Sequence, residues 1–237
     1  MPFTHTDPAR RSPGQYARAA VQRLRLRTLV TLGVLAVFTA ALGRGLGLHD
    51  PRFIVSELGL LVCMFLISRF VLPLVDRVDR GARGEESVGA LLDELQAHGW
   101  EIFHDATLGH GNVDHIAIGP PGIFTVETKS HPGPIRVRRI HGGVLAQAEG
   151  HSEALERVTG LRAEPLIVYS RAWVDRPFAR RKGVRILPAS LLEGHLLGLP
   201  ERLSDEGIHE AGDLVARAVR ERRVRRRLVS ERWPLPL

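Results

Sequence analysis

The sequence predicts a mixed α/β domain over residues 81–200, preceded by an apolar helical hairpin over residues 29–75. Three observations predict it. Residues 29–42 carry no charge, and a second apolar run over 53–75 follows a turn at Asp50-Pro51. Two β-rich runs, 113–118 and 123–128, are joined by Gly119-Pro-Pro-Gly122, a hairpin connector. Leu166, Ile167 and Val168 are consecutive in a short run, the pattern of a strand buried on both faces.

The first element is a polar segment, 1–28, with six arginines: Arg10, Arg11, Arg18, Arg23, Arg25 and Arg27. The uncharged run 29–42, extended to Leu48, reaches about 20 residues, roughly the thickness of a bilayer's hydrocarbon core. The run 53–75 holds Glu57 and Arg69 near its ends, where both can snorkel to an interface. Arg77, Arg80 and Arg83 follow, so basic residues flank the outer ends of the hairpin. The positive-inside tendency then puts both termini in the cytoplasm. The competing reading is a helical hairpin buried in a larger soluble core. A cleaved signal peptide fits poorly: the basic segment is long, no A-x-A site follows, and a second apolar helix would remain.

From Gly81 the pattern changes. Residues 85–98 carry Val88, Leu91, Leu92 and Leu95 at helical spacing, with acidic residues placed as a first turn and Gly99 past the end. Residues 100–104 alternate as a short strand, and 108–112 form a turn. Residues 135–140 fit an edge strand. A helix is expected over 144–159, closed by Gly160, then strands at 165–170 and 184–187, and a short helix at 189–197. A long helix over 205–229 turns arginine-rich, so residues 201–237 form a basic C-terminal helix and tail.

At 237 residues, with 44% apolar and 25% charged residues, the chain is globular rather than disordered. A net charge of +7 favours a polyanionic partner, nucleic acid or an anionic membrane face. A GC-rich genome also spreads arginine without functional meaning, so charge alone leaves both readings open. One cysteine, Cys63, excludes an intrachain disulfide or a cysteine zinc cluster, and its apolar surroundings predict a buried, inert thiol.

Only two of the 33 basic side chains are lysines, Lys129 and Lys182. Lys129 lies two residues after Glu127, so on a strand the two share a face, with Phe124, Val126 and Thr128 on the other. Asp114 shares a face with Ile116 and Ile118 in the partner strand, and the hairpin brings it near Glu127. Paired like charges destabilise a sheet unless a cation or proton lies between them. Two carboxylates and a backbone carbonyl suit Mg²⁺, which polarises a phosphoryl oxygen. A lysine beside them can orient water and stabilise charge on phosphate. The alternative is a structural triad of Asp114, Glu127 and Lys129, which leaves two carboxylates against one cation.

Asp114…Glu127-Thr-Lys129 resembles the D…(D/E)-x-K motif of restriction-endonuclease-like nucleases. Gly84-Glu85, Asn112-Val-Asp114-His115, Gly119-Pro-Pro-Gly122-Ile-Phe-Thr-Val-Glu127-Thr-Lys129-Ser and Gln147-Ala-Glu-Gly-His, in that order, resemble the nuclease-related domain (NERD) family over about residues 81–170. The resemblance implies a restriction-endonuclease-like mixed sheet flanked by helices and Mg²⁺- or Mn²⁺-dependent processing of DNA. It makes Asp114 and Glu127 metal ligands, Lys129 the catalytic lysine, Glu85 an acidic helper and Gln147 a further site residue. It also accommodates N-terminal membrane segments.

Other readings stay beside these. Glu85 suits a helix N-terminus, and Glu86 competes with it as helper. Gln147 reads equally as a polar residue on a helix face. His115 follows Asp114 and points to the other face, as a packed or hydrogen-bonded histidine rather than a base. His104, His110, His115 and His131 lack the paired spacing of a zinc site. Arg217, Arg220, Arg222, Arg223, Arg225, Arg226 and Arg227 suit phosphates, an inner leaflet or a solvated helix face. Aromatics make up 5% of the chain, which gives no support to base stacking. The expected function is a membrane-anchored, cytoplasm-facing, Mg²⁺-dependent DNA nuclease. The alternatives are a non-catalytic nucleic-acid-binding protein and a membrane scaffold with the same fold.

Overall fold

The computed structural model describes residues 12–46, 50–109 and 111–232. Arg10, Arg11, the connector residues 47–49, His110 and residues 233–237 lie outside them, as do the side chains of Arg226 and Arg227. The described chain forms two compact units, Tyr16–Gly81 and Ala82 onward, the latter joined by the residues before Tyr16.

The helical unit contains α1 (Gln15–Leu46), α2 (Pro51–Leu66), a π-helical turn (Ile67–Val71) and the start of α3 (Leu72–Glu94). Asp50 caps α2 by accepting from the Arg52 N–H at 2.7 Å, and Pro51 occupies the first turn, where it loses no hydrogen bond. Two helices, over Val21–Gly45 and from Pro51, are long and apolar enough to cross a membrane. Leu29, Val37, Phe38, Leu58, Leu61 and Phe65 are all exposed. Cys63 is half-buried rather than buried, because it belongs to these exposed helices.

The α/β unit is a six-stranded mixed sheet between two helical layers, the mixed architecture expected. Its strands are β1 (Glu101–Leu108), β2 (Gly111–Gly119), β3 (Gly122–Lys129), β5 (Ala163–Tyr169), β7 (Arg180–Arg181) and β8 (Val184–Pro188). The order is β1-β2-β3-β5-β8-β7. The β1, β2 and β3 strands are antiparallel neighbours, whereas β3, β5 and β8 run parallel. A parallel step needs a crossover, and α4 (Gly142–Thr159) supplies it between β3 and β5. A separate ribbon pairs β4 (Gly133–Ile135) with β6 (Ala172–Val174).

Each sheet face is apolar for a stated partner. Phe103, Ile116, Ile118 and Ile123 pack with Leu155 of α4 and Ile208, Val215 and Val219 of α6 (Asp205–Arg232). Ala117, Phe124, Val126, Leu166 and Val168 pack with Val88, Leu92 and Leu95, and with Leu192 and Leu196 of α5 (Leu192–Leu197). Ile167 faces Leu145 and Ala148 of α4, so β5 is buried on both sides, as its unbroken apolar run predicts.

Three elements depart from the expected outline. The α3 helix begins at Leu72, not Glu85, so Glu85 lies mid-helix and has no N-terminal role. Residues 135–140 are not an edge strand: β4 ends at Ile135 and a 3₁₀ turn covers Val137–Arg139. The β1 strand continues to Leu108, well past residue 104. Lys182, the second lysine, occupies a two-residue turn between β7 and β8 with φ of 49°, followed by Gly183 at 77°. That is a tight hairpin with positive φ at both central positions, and it accounts for the glycine but not for the lysine.

Candidate active site

The β2–β3 hairpin closes on Gly119↔Gly122, and its regular register runs to His115↔Val126. One further step sets Asp114 opposite Glu127. The ladder stops there. Asp114 Oδ2 accepts from the Thr128 N–H at 2.8 Å, so a side chain satisfies a backbone donor. On its other side β2 follows β1 from Glu101↔Ile118 to His104↔His115 and resumes at Ala106↔Val113. The omitted pair is Asp105 and Asp114.

The cause lies in Asp105, whose φ is 49°, a left-handed conformation uncommon away from glycine. It reverses the alternation of side chains. Phe103 and Ala106 face the same layer, as do Val113 and Ile116, where a regular strand would send them to opposite layers. The expected shared face of Asp114, Ile116 and Ile118 therefore does not extend past Asp114. Asn112 holds the kink, donating from Nδ2 to Asp105 Oδ1 at 3.0 Å.

On β3 the lysine meets its carboxylate directly. Lys129 Nζ donates to Glu127 Oε1 at 2.6 Å. It also reaches Gln147 Oε1, on α4, at a long 3.5 Å. One turn on, His151 lies on the same helix face as Gln147. His151 Nδ1 is 3.2 Å from Glu127 Oε2. Neither buried atom has a well-aligned hydrogen-bond partner. Gly111 makes room for this ring: a Cβ there would come within 2.9 Å of His151 Nε2.

Glu85 arrives from the other helical layer. Gly84 permits it, because a Cβ at Gly84 would lie 2.8 Å from both the Ser130 Cβ and the Ser170 hydroxyl. These serines end β3 and β5, where the Ser170 N–H donates to the Lys129 carbonyl at 3.0 Å. The Gly-Glu pair therefore lets α3 graze the strand ends and bring a carboxylate to them.

Glu85, Asp105, Asp114 and Glu127 thus share one neighbourhood with one lysine. Burial, then the charges of Asp105 and Glu127, push Glu85 up to about 7. Burial raises Asp114 well above the usual carboxylate range, and Glu127 and Glu85 add to it. Burial also acts to raise Glu127, but His151 and Lys129 outweigh it and hold this carboxylate below its ordinary value. The cluster thus holds Glu127 below its ordinary value, while burial and mutual repulsion raise Glu85 and Asp114.

That imbalance fits a divalent cation. Asp114 and Glu127 supply hard oxygen donors, and Glu127 Oε2 is a buried acceptor without a hydrogen bond. Among the described residues no group of three or more His, Cys, Asp or Glu side chains has the geometry of a preformed metal cage. The fit is that of two carboxylates completed by backbone, water and substrate oxygens, as Mg²⁺ prefers.

The structure brings Asp114, Glu127, Lys129 and Glu85 together and leaves Gln147 at the margin, exposed. Asp105 and His151 escape the sequence reading. The i,i+4 spacing of Gln147 and His151 signals the histidine, whereas no local pattern signals Asp105. A cavity of about 450 Å³ lies at the other end of β3 and β5, lined by Phe124, Arg162, Arg180, Arg185 and Arg202, and holds none of these residues.

A repair endonuclease from Pyrococcus abyssi resembles the chain at 15% identity, over 48% of this chain and 42% of that one, with a TM-score of 0.26. The chain therefore spans about two-fifths of that relative's length. A protein of unknown function matches at 16% identity, over 57% and 94%, with a TM-score of 0.33. Pyrococcus furiosus SfsA, solved with Ca²⁺, matches at 18% identity, over 55% and 52%, with a TM-score of 0.24. A search of curated proteins gives no match. The nuclease-related domain family matches residues 80–171, the stretch that contains Glu85, Asp105, Asp114, Glu127, Lys129, Gln147 and His151, and the chain therefore carries a nuclease-related domain.

Proposed function

We propose that the chain is a metal-dependent nuclease that hydrolyses phosphodiester bonds of DNA. The observation that carries this reading is the Glu127–Lys129 pair, buried among three further carboxylates whose charge calls for a cation. Asp114 and Glu127 would hold Mg²⁺ or Mn²⁺, which supplies Lewis-acid polarisation of a phosphoryl oxygen. Lys129 keeps its ammonium beside the reacting phosphate, where it orients water and neutralises developing charge. Arginine would not replace it: the guanidinium fork is too broad for the 2.6 Å contact behind Glu127 to be kept while a donor faces substrate. Glu127 fixes the ammonium, and His151 steadies Glu127 from behind. Glu85, with a pKa of about 7, is matched to proton transfer at neutral pH. Gln147 lies where it would contact substrate or the lysine.

The apolar helices support a membrane anchor over residues 29–75. The basic flanks favour a cytoplasmic nuclease domain. Incubation of the full chain in detergent with plasmid DNA and Mg²⁺ or Mn²⁺ tests the reading, with an RNA of matched length alongside. Metal-dependent cleavage that disappears in Lys129→Ala is expected. Equal cleavage by that variant, or none by the intact chain, rules the nuclease out. DNA affinity without turnover would favour the non-catalytic binding protein. Alkaline extraction of cell membranes, with protease access to residues 82–232 from each side, tests the anchor and its orientation.

A further inference from the structure

Beyond Lys129 the chain builds a second structure that the catalytic cluster does not use. The β4 and β6 strands pair as a parallel ribbon, Gly133↔Ala172, Pro134↔Trp173 and Ile135↔Val174. Ala172 and Val174 face inward and pack in the core. Trp173, between them, faces out and is 65% exposed, whereas Trp100 is 4% exposed. The packing of the ribbon is thus done by its other face, and the indole has no structural duty. A single exposed aromatic is ordinary on a protein surface. Its setting here is not.

Arg136, Arg138, Arg139, Arg171 and Arg176, in the segments next to the two strands, are all exposed. None of the five is in an ion pair among the described residues. Asp175 is the acid within 131–139 and 171–176, and its Oδ1 is taken by the Val137 N–H at 3.0 Å. The basic turn is also held from below, where Arg181 Nη1 donates to the carbonyls of Val137 at 3.1 Å and Ile140 at 2.6 Å. An exposed indole lies in a segment rich in guanidinium groups that make no ion pair among the described residues. It matches an aromatic base attached to phosphates.

The ribbon is also close to the chemistry. Tyr169 pairs with Lys129 across the sheet, and Trp173 follows Tyr169 by four residues. Four residues span at most ~14 Å, about four nucleotide steps at duplex spacing. A strand with a phosphate at Lys129 would have its neighbouring bases within reach of the indole.

We propose that the β4–β6 ribbon is a docking platform for an unpaired stretch of nucleic acid, with Trp173 stacked on a base and the five arginines on phosphates. The proposal rests on the nuclease reading and narrows its substrate to single-stranded or frayed DNA near the cut.

The test is binding of the full chain in detergent, without metal, to a short fluorescent single strand and to the blunt duplex of the same sequence. In Trp173→Ala, single-strand affinity should fall by about tenfold or more while duplex affinity stays within about twofold. Trp173→Phe should restore most of the loss, because a phenyl ring also stacks. Arg136→Ala should reduce the salt dependence on both probes by about one counterion. Single-strand binding unchanged in Trp173→Ala, with wild-type cleavage intact, overturns the platform and leaves the nuclease standing. Equal loss on both probes without rescue by phenylalanine overturns it too, since that pattern signals a damaged fold. A wild-type chain that binds neither probe at low salt overturns both readings.

Discussion

His104 and Asp105 are neighbours in β1, and Asp114 and His115 are neighbours in β2, yet the histidines and the aspartates enter two separate polar clusters. The histidines close on themselves. His104 Nδ1 meets His115 Nδ1 at 2.8 Å, and His104 Nε2 meets Asp93 Oδ1 at 3.1 Å. One ring nitrogen of the first pair donates and the other accepts. Burial and the neighbouring His104 lower His115 well below its ordinary value, which keeps it neutral. The aspartates do the reverse. With Glu85 and Glu127 they gather more negative charge than Lys129 balances. A polar cluster built on mutual hydrogen bonds strengthens a fold even where one nitrogen, His115 Nε2, stays buried without a partner, whereas one left with excess charge is held in place by the rest of the fold and is ready for a ligand.

The largest effect should separate the two clusters by activity. Glu127→Gln and Lys129→Ala should each reduce metal-dependent cleavage by about 10³-fold. Thermal unfolding of Glu127→Gln should show little loss, because it removes negative charge from a cluster that holds an excess of it. A variant that unfolds as readily as it loses cleavage would erase the distinction.

Next in size, His115→Ala should lower stability by about 2–4 kcal/mol, through a lost hydrogen bond and a cavity. Cleavage per folded molecule should hold. Denaturant titration beside the plasmid assay reads both. His151→Ala should cost about 10- to 100-fold in cleavage with a smaller stability change, as expected for a group that steadies a ligand. The loss should appear in kcat more than in KM.

The two clusters should also pull stability in opposite directions with pH in metal-free protein. Glu85 is raised from 4.5 to about 7, so its protonated form favours the fold. Its contribution is complete below pH 4.5 and is lost as pH rises through 7. His115 is lowered from 6.5, so its contribution is present above pH 6.5 and is lost as pH falls. Glu85→Gln should therefore stabilise the metal-free protein at pH 8 by on the order of 2 kcal/mol, and change little at pH 4. Mn²⁺ should raise the Tm of the wild type more at pH 8 than at pH 5, since protons and metal compete for the same oxygens. The smallest effect serves as a control. Arg157→Ala breaks a 3.9 Å surface pair with Glu153, and should move stability by no more than roughly 0.5 kcal/mol.

Local features were legible in the chain itself. The alternation that puts Glu127 and Lys129 on one face needs only a strand, and the Gly-Pro-Pro-Gly turn alone brings Asp114 opposite Glu127. Both depend on neighbours within about fifteen residues. The unbroken apolar run of β5 announces burial on both faces for the same local reason. Apolar runs 29–42 and 53–75 likewise announce helices of membrane length.

Tertiary structure decided the rest. The left-handed turn at Asp105 arises where two strands fail to pair, so its place beside Asp114 exists only once β1 lies against β2. Glu85 reaches the site because Gly84 lets a helix from the opposite layer touch two strand ends. A helical pattern says which residues share a face, here Gln147 and His151, not what that face will meet, and so only the docking of α4 set His151 against Glu127. The β4–β6 ribbon joins residues some 40 apart in sequence, with strands too short for any period to declare them. Sequence determined which groups lie beside one another along a strand, because pleating has a fixed period. Only packing decided which groups from distant elements converge, because convergence depends on close approach and on the space that glycines leave for it.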